Sequence, residues 1–368
     1  MRRRTTSTRP GAARMRGAAL LAAMLTVALV ATFAAAAMWR QWRSVEIEAA
    51  ERTRVQSAWV LAGALDWARL ILREDGRAGG ADHLAEPWAI PLEEARLTSF
   101  LAAEKNIASD AIEGLPDAFM SGRIIDAQSK LNVSNLVVSG KPVETAVASF
   151  TKLFQLLNLP AQEVTLLTAN LQRASAGIAA TTGTDSGTSG TTGTTPGATG
   201  SSGSSSGSGS TSGSDTTSAS EGSNAPLMPQ QVSQLVWLGL SPQTVAAIDP
   251  YVVVLPAPTT VNINTASAEV LAASVPSLDL ASAKRLVQQR SARFFAKVDD
   301  IRQYIPESTA APDLTKVNVS TGYFEVIARL RLDRIWVQEH SLIKRDGAQL
   351  TVVWRDRGVG ATPPPNKP

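Results

Sequence analysis

The chain has 368 residues, enough for two compact domains, and 44% of them are hydrophobic, as in an ordinary globular protein. It contains no cysteine, which excludes disulfides, thiolate zinc sites and cysteine nucleophiles. Six of the 35 basic residues are arginines that precede Gly17, and the residues after it carry 29 basic and 32 acidic side chains. The chain as a whole has a net charge of +3, but the part after Gly17 is slightly acidic, which argues against phosphate binding.

An uncharged, apolar run follows these arginines and extends from Ala18 to Trp39. About 20 helical residues, each adding ~1.5 Å, cross the ~30 Å hydrocarbon core of a membrane. The run is longer than the apolar core of a cleaved secretory signal peptide, which is the alternative. Since positive charge stays on the cytoplasmic side, we expect a retained single span with its N-terminus in the cytoplasm.

The predicted helix does not end at the membrane. Apolar side chains recur at helical spacing from Trp42 to Leu65, and the absence of proline favours one helix through Arg73. A basic leader, a glycine, an apolar half-helix and an amphipathic half-helix resemble the N-terminus of type IV pilins and pseudopilins. The resemblance implies that a prepilin peptidase cuts between Gly17 and Ala18.

One expected carboxylate is absent from the apolar half-helix. Most members of that superfamily have a glutamate at the fifth mature residue, and here that residue is Ala22. A carboxylate in hydrocarbon is costly unless it is paired, so its absence implies that this subunit forms no such pair. Among the pseudopilins of type II secretion, the minor subunit K typically lacks this glutamate.

Residues 122–136, GRIIDAQSKLNVSNL, carry a second part of the resemblance. They are similar to the Asp-Ala-Gln turn and the Asn-rich strand of that family, with Asp126 and Asn132 at the matching positions. Because Asp and Asn are common turn residues, the residues themselves predict only a local turn role for these two side chains.

Two helices and a low-complexity tract come next. Phe150 belongs to an apolar helical face, Pro160 ends that helix, and Leu167 and Leu171 mark a second one. Between residues 181 and 220, 35 of 40 residues are Gly, Ser or Thr, a composition typical of disorder. Since its ends would be only about 35 Å apart on average, the tract fits a loop grown inside one domain.

Residues 261–290, VNINTASAEVLAASVPSLDLASAKRLVQQR, have the outline of a helix-hairpin-helix unit, a unit that grips DNA phosphates in many proteins. Thr265 or Asn264 would cap the first helix. Phosphate-binding hairpins need glycines so that bare N–H groups approach the anion, whereas this turn has none and carries Asp279. We therefore expect a scaffold. The predicted seam between the helices contains Val270, Leu271, Ala283, Leu286 and Val287, and the basic residues that could still reach a phosphate are Lys284, Arg285, Arg290 and Arg293.

The hydrophobic period changes from helical to alternating after Thr321, where Phe324 and Val326 begin the alternation. A second strand over 335–344, an Asp-Gly turn and a third strand over 350–355 complete a predicted antiparallel meander.

Together these elements predict an α+β protein with a pilin-like long N-terminal helix and an antiparallel sheet. An all-helical domain that contains the helix-hairpin-helix-like unit is inserted into it, an architecture that resembles the minor pseudopilin K family. The predicted segments are a basic leader (1–17), a transmembrane half-helix (18–39), a periplasmic helix with the first part of the body (40–140), the inserted domain (141–319) interrupted by a disordered Gly/Ser/Thr tract (177–224), the C-terminal strands (320–357) and a disordered tail (358–368).

No residue pattern predicts catalysis. His83 and His340 lack metal-ligand spacing, and there is no phosphate-binding loop, dinucleotide fingerprint or carboxylate pair suited to acid–base work. We expect neither an enzyme nor a bound cofactor. The family resemblance allows calcium, but the tract offers only Asp185 and Asp215, too few oxygen ligands for a calcium site.

The resemblance implies a minor pseudopilin of the type II secretion system that forms the tip of the periplasmic pseudopilus and helps to initiate its assembly, for export of folded proteins across the outer membrane. The implied partners are the minor pseudopilins I and J, other pseudopilus subunits, the inner-membrane secretion platform and prepilin peptidase, with no nucleic acid. The implied location is the bacterial inner membrane, with one span and a periplasmic C-terminal domain. The alternative is an exported, membrane-anchored DNA receptor that uses the helix-hairpin-helix unit.

Overall fold

The computed structural model of the chain describes residues 15–97, 118–182, 225–305, 312–332 and 335–360. Predictions made for the leader before residue 15, for residues 183–224 of the Gly/Ser/Thr tract and for the last eight residues lie outside the described residues.

The chain divides into two compact units, Met1–Gly63 and Ala64–Pro368. The first contains the larger part of helix α1 (Met15–Ala78), whose sequence has no proline and is rich in alanine and leucine, which favour helices. The helix continues beyond the predicted Arg73. It ends where Gly79 takes a φ of 66°, a left-handed conformation that glycine adopts without steric cost.

The described part of the second unit contains eleven strands and five further helices. The strands are β1 (Leu92–Arg96), β2 (Ala118–Asp126), β3 (Leu131–Asn132), β4 (Val137–Val138), β5 (Lys141–Pro142), β6 (Val252–Val253), β7 (Val261–Asn262), β8 (Val317–Asn318), β9 (Tyr323–Leu332), β10 (Ile335–Asp346) and β11 (Gln349–Gly360). The helices are α2 (Glu144–Leu156), α3 (Gln162–Thr182), α4 (Pro242–Ile248), α5 (Ala268–Ser274) and α6 (Leu280–Ala292). Five strands form one antiparallel sheet in the order β1-β2-β9-β10-β11, which confirms the predicted α+β class.

One face of this sheet packs against α1. Leu65 and Leu72 of α1 lie at helical spacing and are buried against Phe324 and Ile343, which pair across β9 and β10. The ring of Trp88 meets that of Phe324 edge to face, with 5.2 Å between the centroids. The alternation predicted after Thr321 therefore places its apolar side chains in a core.

A long insertion separates β2 from its neighbour β9. The chain leaves the sheet at Asp126 and returns at Tyr323, and helices α2 to α6 between these points surround one apolar core. The inserted domain is not all-helical as predicted, since it also contains short strand pairs, β3-β6 and β7-β8 in parallel and β4-β5 in antiparallel orientation. Two-residue strands carry no detectable period, so the sequence could not reveal them.

The first two helices of the insertion have the apolar faces that their sequences predict. Phe150 and Phe154 of α2 and Leu167 and Leu171 of α3 are buried in the core of the insertion. Pro160 lies between the two helices, as predicted, because a proline cannot continue a helix through its own position.

The two ends of the Gly/Ser/Thr tract meet. Helix α3 continues to Thr182, into the segment predicted to be disordered from residue 177. A Cβ on Gly177 would lie only 3.0 Å from the Cβ of Ala225, where the described chain resumes. The chain therefore leaves the domain and re-enters it at one place, as a loop inside a single domain does.

The last two strands are joined at the predicted Asp346-Gly347 turn, where Gly347 has a φ of 57°. Strand β11 extends to Gly360, beyond the predicted end at Arg355, and so includes residues 358–360 of the predicted tail. Pairing with β10 along its length explains the difference, since main-chain hydrogen bonds do not require an alternating sequence.

Candidate functional site

The apolar half of α1 carries the positions predicted for processing and membrane insertion. Gly17 lies within the helix, and Ala18 and Ala22 lie on its exposed first turns. From Ala18 onward the helix is long and apolar enough to cross a membrane, with a mean hydropathy of 2.3 over its best 18 residues. Large side chains such as Phe33 are 68% exposed, so the part of the chain that the structure describes does not bury this stretch. Cleavage between Gly17 and Ala18 stays a prediction.

The part of α1 in the second unit also exposes apolar side chains. Trp67 is 41% exposed and Leu70 58% exposed, whereas Leu65 and Leu72 on the sheet-facing side are buried. This part of α1 therefore has one apolar face against its own sheet and further apolar side chains that are partly exposed.

The helix-hairpin-helix-like unit is present as α5 and α6. Val270, Leu271, Ala283 and Leu286 are buried between the helices and Val287 is half-buried, which confirms the predicted seam. The predicted N-cap was wrong. The hydroxyl of Ser267 accepts the N–H of Val270 instead, at 3.3 Å.

Both residues that were predicted as caps have partners elsewhere. The side chain of Asn264 pairs with the main chain of Phe295, accepting its N–H at 2.8 Å and donating to its carbonyl at 2.9 Å. The hydroxyl of Thr265 donates to the carboxylate of Asp126 at 2.5 Å. Because these two side chains form hydrogen bonds with distant residues, neither of them caps α5.

The hairpin turn between α5 and α6 is closed by a lysine from α2. The ammonium group of Lys152 donates to the carbonyl oxygens of Val275, Pro276 and Leu278, at 3.3, 3.1 and 2.9 Å. Burial lowers the pKa of this ammonium group. The side chain of Asp279 caps α6 by accepting the N–H of Ser282 at 3.0 Å, and hydrogen bonds from Ser282 lower its pKa. A carboxylate thus occupies the position that a phosphate would need.

Arg290, one of the four basic residues that could have reached a phosphate, is turned inward. Its guanidinium donates to the carbonyl oxygens of Ile263, Ala266 and Thr265, at 2.8, 2.5 and 3.4 Å. Burial lowers its pKa to about 10. Arg290 therefore holds the loop between β7 and α5 and is not presented to a ligand.

The other three basic residues of this group lie on the surface, and Lys284, Arg285 and Arg293 are all exposed. Arg285 donates to the hydroxyl of Ser282 on its own helix, at 2.7 Å. This arrangement is that of a solvated helix face.

Asp126 has the predicted turn role and a larger one. Its carboxylate accepts the N–H of Gln128 at 2.7 Å, which closes the turn after β2. It also accepts three long-range hydrogen bonds, from Asn262 at 2.9 Å, Thr265 at 2.5 Å and Thr321 at 2.6 Å. These bonds join the sheet to the interior of the insertion, at Asn262 and Thr265, and to its C-terminal end, at Thr321. Burial, only partly offset by the hydrogen bonds, raises the pKa of Asp126 to about 6.

Asn132 combines local and distant contacts in the same way. Its side-chain oxygen accepts the N–H of Ser134 at 3.0 Å, which is the predicted turn, and that of Leu255 at 3.1 Å. Its amide group donates to the carbonyl of Ala257 at 2.8 Å and to the hydroxyl of Thr259 at 3.1 Å. The family pattern drew attention to both Asp126 and Asn132, but no local signal identifies their distant partners.

Three carboxyl groups, those of Asp75, Asp82 and Glu86, lie close enough together to suggest a metal site. The guanidinium of Arg345 pairs with both Asp75 and Asp82. The carboxylate of Glu86 accepts the N–H of His83 at 2.9 Å and the indole N–H of Trp88 at 2.7 Å. Burial raises the pKa of Asp82 and of Glu86. Protein donors already satisfy this cluster, so it gives no support for a bound cation.

The two histidines lie in separate surroundings. The ring of His83 stacks on that of Phe294, with 3.9 Å between the centroids. His340 lies 3.7 Å from the carboxylate of Glu325, which also pairs with Lys130 at 3.3 Å. Burial alone would raise the pKa of Glu325, but Lys130 and His340 outweigh it and lower the pKa to about 2. Both histidines thus have structural neighbours, and the described residues bring them into no shared site.

Comparisons with known proteins give one consistent result. Two family models match, both described as type II secretion system protein K, over residues 129–257 and 261–321, which together make up just over half of the chain. A curated type II secretion system protein K from Pseudomonas aeruginosa strain PAO1 is 27% identical over 358 residues, 95% of each chain. A chain in the crystal structure of the GspK-GspI-GspJ complex from enterotoxigenic Escherichia coli is similar in fold, with a TM-score of 0.55 and 20% identity over 84% of this chain and 98% of that one.

Proposed function

The chain belongs to the type II secretion system protein K family, and we propose that it forms the tip of the periplasmic pseudopilus and helps to initiate pseudopilus assembly. It is a minor pseudopilin of that system. The observation that carries the tip role is the insertion between Asp126 and Tyr323 in an otherwise pilin-like body of one helix and one sheet.

A large insertion suits a terminal subunit. A subunit within a filament must leave room for copies above and below it, and the insertion adds five helices with their own core to the pilin-like body. The alanine at position 22 fits the same role, because a subunit without the usual glutamate does not need to pair with a neighbour's terminal amine. Both features favour a subunit that nothing is stacked upon.

The N-terminal helix supplies membrane storage and partner packing in this proposal. Its apolar half spans the inner membrane once, with the N-terminus in the cytoplasm and the C-terminal domain in the periplasm. The exposed Trp67 and Leu70 extend this apolar surface into the periplasmic part. The fold neighbour was solved in complex with GspI and GspJ, and we infer that minor pseudopilins I and J pack against α1 here.

Processing and force transfer complete the proposal. A prepilin peptidase removes the leader after Gly17, and the inner-membrane secretion platform then draws the mature subunit into the pseudopilus. The chain works by assembly and mechanical push, with no catalytic step and no cofactor. The DNA-receptor alternative gains no support from the comparisons, and Asp279 and Arg290 remove two of the features that it needs.

The mature N-terminus tests this proposal most directly. When the chain is produced together with a prepilin peptidase, intact-mass spectrometry should find a form that begins at Ala18. Gly17→Val should leave the leader in place, because the peptidase would then meet a bulky residue at the cleavage point. Ala22→Ser, which lies beyond that point, should be processed like the natural chain. An unprocessed chain, or one that begins beyond Trp39, would contradict a pseudopilin role.

A further inference from the structure

Asp126 is 2% exposed, and four groups converge on its carboxylate, one from its own turn and three from two distant parts of the chain. One oxygen accepts the N–H of Gln128 and the hydroxyl of Thr321, at 2.7 and 2.6 Å. The other accepts the amide of Asn262 and the hydroxyl of Thr265, at 2.9 and 2.5 Å. We call these five residues the Asp126 junction, since they connect the end of strand β2 to the segment between β7 and α5 and to the segment that precedes β9.

All four donors in the junction are uncharged. Charged side chains contact the main chain of two junction residues: Arg345 donates to the carbonyl of Thr321 at 2.9 Å, Asp82 accepts the N–H of Thr321 at 2.6 Å, and Arg290 donates to the carbonyl of Thr265 at 3.4 Å. Glu325 pairs with Lys130 and lies near His340, and it belongs to the other face of the sheet, because its cross-strand partner is the residue before Asp126. An ionised Asp126 is therefore a buried charge that neutral hydrogen bonds alone must stabilise, which is costly.

The junction can also hold a neutral Asp126. The hydroxyl oxygen of Thr265 lies 2.5 Å from the carboxylate and 3.5 Å from the carbonyl oxygen of Asn262. A hydroxyl both donates and accepts, so Thr265 can accept a hydrogen bond from protonated Asp126 and turn its own hydrogen toward that carbonyl. Each protonation state thus keeps a complete set of hydrogen bonds.

We propose that the protonation state of Asp126 controls the attachment of the inserted domain to the sheet. The junction opens less readily when Asp126 is protonated and more readily when Asp126 is ionised. The preference for protonated Asp126 agrees with its burial, which raises the pKa of this carboxyl group from its ordinary value of 3.8 to about 6. A raised pKa in the folded state means that the stabilisation is complete below about pH 4 and is lost as the pH rises through about 6. The proposal does not depend on the role in pseudopilus assembly.

Hydrogen exchange of the full-length protein at pH 5.0 and pH 7.5 tests it, with each rate corrected for the intrinsic effect of pH. With the two pKa values given above, the equilibrium for opening the junction is about tenfold more favourable at pH 7.5 than at pH 5.0. The main-chain amides of residues 261–265 and 317–322 should lose about that factor of protection. In Asp126→Asn, which cannot ionise, the ratio between the two pH values should be close to one.

Two further variants keep the test decisive. Glu325→Gln removes another buried carboxyl group, whose pKa is about 2, so the tenfold difference should persist in it. Thr265→Val keeps the ionisable group but removes one donor to its charged form, so the midpoint of the pH dependence should move above 6. This second variant serves if Asp126→Asn does not fold. Equal protection at both pH values in the natural protein, a tenfold difference that survives Asp126→Asn, or an unchanged midpoint in Thr265→Val would each overturn the proposal.

Discussion

Lys152 lies on α2 and donates to three carbonyl oxygens of the hairpin between α5 and α6. These three carbonyls belong to the turn that follows α5, and they converge on one ammonium group. This contact fixes the hairpin against α2 and uses the polar groups of the turn for packing. The same outline that grips phosphates in other proteins has become part of a scaffold.

Replacing Lys152 should therefore destabilise the insertion. Lys152→Met keeps the length of the side chain but leaves the carbonyls of Val275, Pro276 and Leu278 without their charged donor, and we expect a loss of about 1.5–3 kcal/mol in the free energy of unfolding. Urea denaturation of the purified protein in detergent measures it. Lys141→Met is the matched control: Lys141 is exposed on β5, so its replacement should change the free energy by less than about 0.5 kcal/mol. Equal effects of the two substitutions would show that the hairpin does not need Lys152.

At the scale of elements, the contact between Gly177 and Ala225 defines how the Gly/Ser/Thr tract is attached. A Cβ added to Gly177 would lie 3.0 Å from the Cβ of Ala225, so α3 and the segment that begins at Ala225 are neighbours. A long loop between fixed ends costs closure entropy that grows slowly with its length. The tract is therefore expected to be dispensable for folding.

Deletion of residues 183–220 should leave the fold intact and raise the free energy of unfolding by about 1–2 kcal/mol, because a much shorter loop loses less entropy when it closes. Thermal and urea unfolding of the full-length and shortened chains measure the difference. A chain in which the same residues are shuffled is the control and should match the natural stability. Failure of the shortened chain to fold, while the shuffled chain folds, would mean that the length of the tract is required.

At the scale of the whole molecule, the charge distribution argues against the binding of nucleic acid. Six of the 35 basic residues lie before Gly17, and the remainder of the chain has more acidic than basic side chains. In the unit that would have to bind DNA, Arg290 is occupied by main-chain carbonyls and Asp279 stands at the start of α6. Of the four basic residues of this unit only Lys284, Arg285 and Arg293 are exposed, which disfavours the phosphate contacts on which DNA affinity depends.

A gel-shift assay with residues 40–368 should accordingly give no complex with duplex or single-stranded DNA at 100 mM salt. The fragment lacks the arginine-rich leader, so any retardation would come from the folded part. A basic DNA-binding protein of similar size, assayed beside it, is the control for the conditions. Tight binding that weakens steeply with salt would favour the DNA-receptor function instead.

The features that depend on residues close together in the chain could be predicted from the sequence. Helical spacing predicted α1, α2 and α3, alternation predicted the meander after Thr321, and Pro160 and Gly347 lie where a helix breaks and a hairpin turns. The apolar run that begins at Ala18 and the absence of glycine between α5 and α6 can likewise be read from the sequence alone. These signals are local because helices, strands and turns are set by hydrogen bonds and side-chain directions within a few residues.

The side-chain contacts across the insertion could not be predicted, because they depend on the packing of the whole fold. Thr265 was expected to cap a helix and instead bonds to Asp126, 139 residues away, while Lys152 reaches Leu278 over 126 residues. The same holds for the short parallel strand pairs that tie the insertion together. Such contacts depend on how whole elements pack, and a buried polar group takes whichever partner that packing brings within hydrogen-bonding distance, because leaving it unpaired is costly.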